Sequence, residues 1–296
     1  IFKIKIFFNH LIYYRMSNNL NKLSFDEVKI KYFKMLNNRK SFKSQNVNKT
    51  QIEKMCNKYL KDFKKLSLAI IVPYRDNLDG SKVRHKQLEK FIKVMPTYLK
   101  KLGKHYTFKI IIVEQGNKKK FNRGILLNVG FLLAEHNVDY FIFHDVDLFP
   151  DNDMLKYYGC YPFKPIHLAH IWTKYSIGGK YFGGVNSFNK ADFRKINGYP
   201  NDFWGWGGED DELYDRVVNS NLTVINPKNG KYKEMEHEKP TKAEENPFPN
   251  KMKLRLQHNK WKENGLSNVK YKFVKNKKGE KVTKLNKHSV LVTINF

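Results

Sequence analysis

No stretch of this chain approaches the roughly 18–20 uninterrupted apolar residues that a membrane span needs. Cysteine is scarce as well: Cys56 and Cys160 stand alone, with no CxxC and no metal-ligand spacing, which excludes a disulfide-dense scaffold. Sequence leaves a single bridge between the two open. Helix-turn-helix, zinc-finger and RNP-type patterns are missing, as are internal repeats and low-complexity segments beyond lysine clusters such as Lys118-Lys119-Lys120. Acid is short too, with 28 Asp and Glu against 56 Lys and Arg for a formal charge of +28. The lysines run through the whole chain alongside Asn, Ile, Phe and Tyr, as a base-composition bias would spread them. The excess therefore reads as a compositional bias that does not decide function, although a basic surface helps attract an anionic ligand, and no nucleic-acid partner is expected. Aromatic side chains, by contrast, are plentiful. At 15% aromatic and 41% hydrophobic, 296 residues describe a globular chain with one large core, with or without a small appendage.

Residues 1–14 are apolar but short and interrupted by lysine. They read either as the end of a truncated signal anchor or as a leader ahead of a start at Met16. Residues 17 to about 65 are basic and mainly helical in pattern, with an Asn/Lys/Ser-rich link from Asn37 to Asn48, and residues 1–65 are expected to form a stalk or appendage. From residue 66 the period changes. Leu66–Pro73, Phe108–Gln115 and Tyr140–Asp147 are nearly continuous apolar runs, separated by helical patterns over Leu88–Leu99 and Ile125–Ala134. Strand–helix–strand–helix–strand of this kind predicts an α/β domain over 66–296 with a mostly parallel sheet. The tail from Tyr271 alternates and predicts two or three antiparallel strands.

Ligands of such sheets bind beyond the carboxyl ends of the strands, and three polar signatures fall there: Pro73-Tyr74-Arg75-Asp76, Glu114-Gln115-Gly116 and Asp145-Val146-Asp147. If the third strand persists to Asp147, both carboxylates share a face and offer hard oxygen ligands to Mg²⁺ or Mn²⁺. Phe121-Asn122-Arg123 offers an aromatic face and a bidentate phosphate clamp ahead of a helix. Tyr181-Phe182-Gly183-Gly184-Val185 sets an aromatic beside paired glycines. Most unusual is Trp204 through Leu213, which runs two indoles and three glycines into four consecutive acids. A helix N-terminus explains the acids but not the spaced tryptophans.

Together these motifs resemble the beta-1,4-galactosyltransferase family, inverting GT-A-type enzymes that use UDP-galactose. The matching segments are Val72–Arg75, Phe121–Arg123 with Leu126–Phe131, Asp145–Leu148, Tyr181–Val185, Asn197–Asn201 and Trp204–Asp211, in the same order over about residues 66 to 275. The resemblance implies a GT-A-type, Rossmann-like nucleotide-sugar domain and a Mn²⁺ held by Asp147 and His237. It implies a third ligand at Met235, or at Glu234 by the spacing of other members. It assigns Pro73, Tyr74, Arg75, Phe121, Arg123, Asp145, Val146, Tyr181, Trp206 and Gly207 to the donor. Trp206, Asp210 and Asp211 fall on the acceptor side, with Asp210 as general base and Glu209 beside it. A lid would cover about 238–258. Tyr181 stands where the family limits room for a donor N-acetyl group, which favours galactose. Transfer of an N-acetylhexosamine is the rival within the scaffold; a non-catalytic carbohydrate- or nucleic-acid-binding module is the rival outside it. Cys160 matches a family cysteine whose partner position is here Tyr140, so that bridge is expected to be absent. Lack of an anchor and of disulfides favours a cytoplasmic or virus-associated enzyme, with the Golgi lumen as the alternative.

Overall fold

The computed structural model describes residues 43–60, 65–78, 80–172, 182–205, 207–235 and 261–296, with isolated positions at 24, 27, 30, 31 and 34. At its centre lie β2 (Leu66–Tyr74), β3 (Tyr106–Gln115) and β4 (Tyr140–His144), mutually parallel through β2. These runs have almost no polar face to give to water, so both sides need cover. The cover comes from α2 (Val83–Lys100) and α3 (Arg123–Ala134). Leu68, Ile70 and Val72 point to one side, where α2 contributes Leu88, Phe91, Met95 and Leu99. Ala69 and Ile71 point to the other, where α3 contributes Leu126, Leu127 and Val129. This is the period-two alternation of a strand serving two cores.

The main sheet runs β1 (Ser44–Val47), β8 (Val224–Pro227), β6 (Ile166–His167), β7 (Val185–Asn189), β4, β2, β3, β12 (Ser289–Asn295), β10 (Lys272–Val274), with β11 (Thr283–Lys284) also on β12. It is mostly parallel, as predicted. The exceptions are β7, antiparallel to both neighbours, and the two short strands on β12. A two-stranded antiparallel ribbon, β5 (Leu148–Pro150) with β9 (Tyr232–Glu234), lies outside this sheet. The other α-helices among the described residues are α1 (Lys49–Leu60), the short α4 (Leu155–Tyr158) and α5 (Lys190–Lys195), and α6 (Glu209–Asn219).

Three expectations change. The link over Asn37–Asn48 contains β1, which pairs with β8, and Ile52 and Cys56 of α1 join the core that β2 occupies. Residues 44–60 therefore pack onto the sheet rather than standing apart from it, because Val47 and α1 have an apolar face that only this core covers. Most of residues 1–42 lie outside the described residues. In the tail, β10 and β11 are antiparallel to β12 as expected, but β12 itself runs parallel to β3, from Ser289 opposite Ile110 to Ile294 opposite Gln115. Finally, Cys56 and Cys160 are joined in a disulfide, with Cα atoms 5.1 Å apart and a sequence separation of 104. The family-type bridge is indeed missing, since the Tyr140 hydroxyl instead donates to the Tyr158 carbonyl at 2.8 Å. A cytoplasmic home inferred from a lack of disulfides loses its premise, because disulfides persist in oxidising compartments. Among the described residues no helix is long and apolar enough to cross a membrane.

Candidate active site

The carboxyl ends of β2, β3 and β4 deliver the expected residues to one edge of the sheet. Pro73 is buried in β2 opposite Val113. Tyr74, next along, is buried enough to push its phenol well up, with Asp76 and Glu114 adding to the effect, so it stays neutral. Arg75 leaves the strand and donates to the Lys119 carbonyl, its guanidinium 5.5 Å from the centre of the Phe121 ring. An arginine and an aromatic thus face one another across the mouth of the sheet.

Gln115, at the end of β3, shapes the next turn by accepting from Asn122 N–H at 2.9 Å and donating to the carbonyls of Lys119 and Lys120. Asn122 then caps α3 by accepting from Ile125 N–H at 3.0 Å, which satisfies an orphan donor of the first turn. Its amide also donates to the Asn201 carbonyl at 2.8 Å. Gly124 allows that loop to close: a Cβ there would meet the Pro200 carbonyl oxygen at 2.1 Å.

Arg123 is the hub. Its Nε and Nη2 donate to Asp145 Oδ1 at 3.0 and 2.8 Å, and Nη1 donates to Asp210 Oδ1 at 2.8 Å. Glu209 Oε1 lies 3.9 Å from Nη1, and the Tyr199 ring is 5.5 Å from the guanidinium carbon. Burial lowers the Arg123 pKa, but Asp145 and Asp210 outweigh it and hold the group charged well above its ordinary range. One guanidinium therefore joins residues 87 and 22 positions away in sequence. Asp210 and Glu209 open α6 with their side chains buried, as the acids of a helix first turn. Gly207 and Gly208, with φ of +78° and +98°, make the left-handed turn into that helix. Gly205 N–H donates to the Phe121 carbonyl at 2.8 Å and ties this turn to the one before α3. Asp211 lies on the partly exposed side of the same first turn.

Asp145 and Asp147 do not share a strand face. β4 ends at His144, and the chain turns so that Leu148 N–H points back to the Asp145 carbonyl. The two carboxylates find different cations: Asp145 takes Arg123, whereas Asp147 takes Arg84 Nη1 at 3.0 Å. Val146 between them is buried. The turn is held from below by His144. Its Nδ1 faces the Asp145 carbonyl at 2.7 Å, so it must donate, which leaves Nε2 to accept from the Tyr158 hydroxyl at 2.7 Å. Tyr158 in turn accepts from Tyr232 at 2.9 Å. Burial lowers the His144 pKa to about 4, so the imidazole is neutral at neutral pH.

Of the expected metal ligands, Asp147 and Met235 are neighbours: Met235 N–H donates to the Asp147 carbonyl at 2.9 Å, continuing the β5–β9 ribbon in which Leu148 faces Glu234. Period-two alternation then turns Glu234 away from the side Met235 occupies. Tyr181, Trp206, His237 and the segment 238–258 lie outside the described residues. Among the described residues no group of three or more His, Cys, Asp and Glu could hold a metal. Sequence reasoning missed Arg84, His144, Tyr158 and Tyr232. Only His144 carried a signal, its place directly before Asp145-Val146-Asp147.

Residues 25–161 match the family described as the N-terminal region of glycosyl transferase group 7, and residues 166–238 match the N-terminal domain of galactosyltransferase. The chain is 39% identical over 215 residues to beta-1,4-galactosyltransferase 4 of Cricetulus griseus, covering 70% of this chain and 59% of that protein. It is 40% identical over 177 residues to human beta-1,4-galactosyltransferase 5, covering 57% and 43%. The chain thus spans between two fifths and three fifths of the length of these relatives. Among solved structures, the catalytic domain of Drosophila beta-1,4-galactosyltransferase 7 with xylobiose superposes with a TM-score of 0.62 at 29% identity, over 78% of this chain and 94% of that one. A variant of that enzyme with manganese, UDP-Gal and xylobiose superposes equally well at 28% identity. The α/β fold is therefore of the GT-A type. Motifs in the expected order, the Arg123-centred carboxylates at the sheet edge, and these matches in both sequence and structure lead to one conclusion: the chain belongs to the beta-1,4-galactosyltransferase family.

Proposed function

We propose that this protein transfers galactose from UDP-galactose to a sugar hydroxyl, with inversion and formation of a beta-1,4 linkage. The observation that carries this reading is the Arg123 cluster, which brings Asp145 from the strand end and Asp210 from α6 onto one guanidinium beside the Arg75–Phe121 pair. A binding module has no need of a buried carboxylate poised at the mouth of the site. Asp210 serves as the general base: it takes the proton of the acceptor hydroxyl while that oxygen bonds to the anomeric carbon and the bond to UDP breaks on the opposite face. Arg123 holds Asp210 and Asp145 in register and balances their charge. Arg75 and Phe121 suit the nucleotide, through charge and through stacking.

The donor set fits Mn²⁺ as far as the described residues reach. Asp147 offers a buried hard oxygen, Met235 lies across the ribbon from it, and the chain places His237 two residues further on. A bound Mn²⁺ supplies Lewis-acid stabilisation of the departing diphosphate. The Cys56–Cys160 bridge supports an oxidising, lumenal compartment such as the Golgi.

The test is a mass-spectrometric screen of purified protein with UDP-galactose, UDP-glucose and the two UDP-N-acetylhexosamines. The acceptor panel holds N-acetylglucosamine, glucose and xylosides, the last because the solved Drosophila relative carries xylobiose. Addition of one hexose from UDP-galactose is expected, lost in EDTA and restored by Mn²⁺. Transfer of N-acetylhexosamine alone would overturn the donor assignment, and no transfer from any donor would overturn the enzyme reading.

A further inference from the structure

We propose that Arg84 couples cation binding to nucleotide binding in this site: its guanidinium competes with the divalent cation for Asp147 and is drawn off to the donor diphosphate. The inference rests on the functional reading above and adds a residue to it.

Arg84 sits in the first turn of α2. The loop after Arg75 fixes that turn, with Asp76 accepting from His85 N–H at 3.0 Å and Asn77 from Arg84 N–H at 3.4 Å. From there the side chain uses one nitrogen, Nη1, for both Asp147 Oδ2 and Gln87 Oε1, each at 3.0 Å. Its Nε and Nη2 donate to nothing among the described residues. The two partners also differ in environment: the Asp147 side chain is 4% exposed, whereas that of Arg84 is 36% exposed. A buried carboxylate needs a positive partner at all times. A guanidinium that already faces water can leave one at small cost.

Asp147 thus has a cation of its own before any metal arrives. A divalent ion on the same carboxylate would repel the guanidinium beside it, since two positive charges would then share one buried carboxylate a few ångströms apart. A diphosphate resolves the conflict. It brings acceptor oxygens whose geometry matches the unused fork of Nε and Nη2. The Tyr74 hydroxyl, expected at the donor, already lies in the field of Arg84. Cation alone must displace Arg84 without compensation; cation with nucleotide lets it move to a new partner. Linkage then requires that each ligand tighten the other.

The experiment measures Mn²⁺ affinity by paramagnetic resonance, with and without UDP, and UDP affinity by calorimetry, with and without Mn²⁺. Wild type, Arg84→Gln and Arg84→Lys are compared, with thermal melts to verify folding. For Arg84→Gln we expect Mn²⁺ alone to bind about 5–10-fold tighter, UDP to bind several-fold weaker, and the mutual enhancement to shrink by about 5-fold or more. Arg84→Lys keeps the charge without the fork and should fall between; it serves alone if the Gln variant does not fold. Unchanged or weaker Mn²⁺ binding without nucleotide, or an unchanged enhancement, would overturn the role of Arg84. Wild-type protein that binds no UDP at any Mn²⁺ concentration would instead overturn the functional reading itself.

Discussion

α6 carries a buried arginine system at each end of its length, and the two are built to different rules. At its first turn, Asp210 and Glu209 meet Arg123, a cation outnumbered by carboxylates, since Asp145 shares it. Two turns later Arg216, fully buried, pairs with Glu212 at 3.2 Å and gives its remaining donors to the carbonyls of Asn197, Gly198 and Asn264. The pKa directions separate them. Burial lowers Arg216 despite Glu212, whereas Asp145 and Asp210 raise Arg123 in spite of its burial. The architectural arginine is hydrogen-bonded to one acid and held otherwise by backbone carbonyls. The arginine of the proposed site lies among three carboxylates, more negative charge than its own charge balances.

The sharpest way to break the comparison is at Asp210, on the Arg123 end. Asp210→Asn keeps the shape and the Arg123 contact but cannot accept a proton. We expect transfer to fall by about 10²–10⁴-fold, with UDP affinity and the melting temperature nearly unchanged. Near-normal turnover would remove Asp210 from the chemistry. At the other end, Arg216→Met leaves Glu212 buried without its cation and three carbonyls without a donor. Loss of about 3–5 kcal/mol is expected for breaking such a pair, a fall of about 6–10 °C in melting temperature for a domain of this size. Turnover per folded molecule should hold. Arg123→Met should cost transfer as well as stability, since it strips the cation from the buried Asp210 and Glu209 and leaves only Asp145, with its side chain 26% exposed, able to rehydrate. If Arg216→Met and Arg123→Met affect stability and transfer alike, the distinction between the two ends collapses.

The core of this arrangement was legible in the sequence for physical reasons. Leu66–Tyr74 and Tyr140–His144 are apolar on both faces, so strand and burial followed together, and polar residues at their carboxyl ends marked the site. The turn into α6 announced itself through Gly207, Gly208 and the acids beyond. What stayed hidden was whatever depends on distant partners. β1 shows no alternating pattern, because along Ser44–Val47 only Val47 is buried. The alternation of β12 revealed a strand but not that its neighbour would be β3, 179 residues away and parallel. Arg84 looked like any solvated lysine-rich helix residue until folding brought it to Asp147, 63 positions on. The bridge between Cys56 and Cys160 was likewise unreadable, since nothing local fixes a 5.1 Å approach between α1 and the segment after Tyr158.

That bridge gives the next effect down. Closing a loop of this length restricts the unfolded chain, and removing a native disulfide costs about 2–5 kcal/mol. Cys56→Ser with Cys160→Ser should therefore melt lower by several degrees with unchanged transfer, since neither cysteine belongs to the Arg123 cluster. A loss of UDP binding in that variant would tie α1 to the site.

The smallest expected effect tests whether the support beneath Asp145 resembles the Arg216 end or the Arg123 end. Tyr232 donates to Tyr158, which donates to His144, which donates to the Asp145 carbonyl. Tyr232→Phe removes the outermost donor alone, and Tyr158 keeps its bond to His144, so about 1 kcal/mol of stability is at stake. If the chain is architectural, as its neutral, fully buried imidazole suggests, the change stops there and the affinities for UDP and Mn²⁺ do not move. Tyr232, however, opens the β9 strand that leads to Met235, opposite Asp147. A weakening of Mn²⁺ binding larger than the stability loss would mean that the hydrogen-bond chain holds both sides of the ribbon in register, and that the boundary between structure and site runs through Tyr158 rather than above His144.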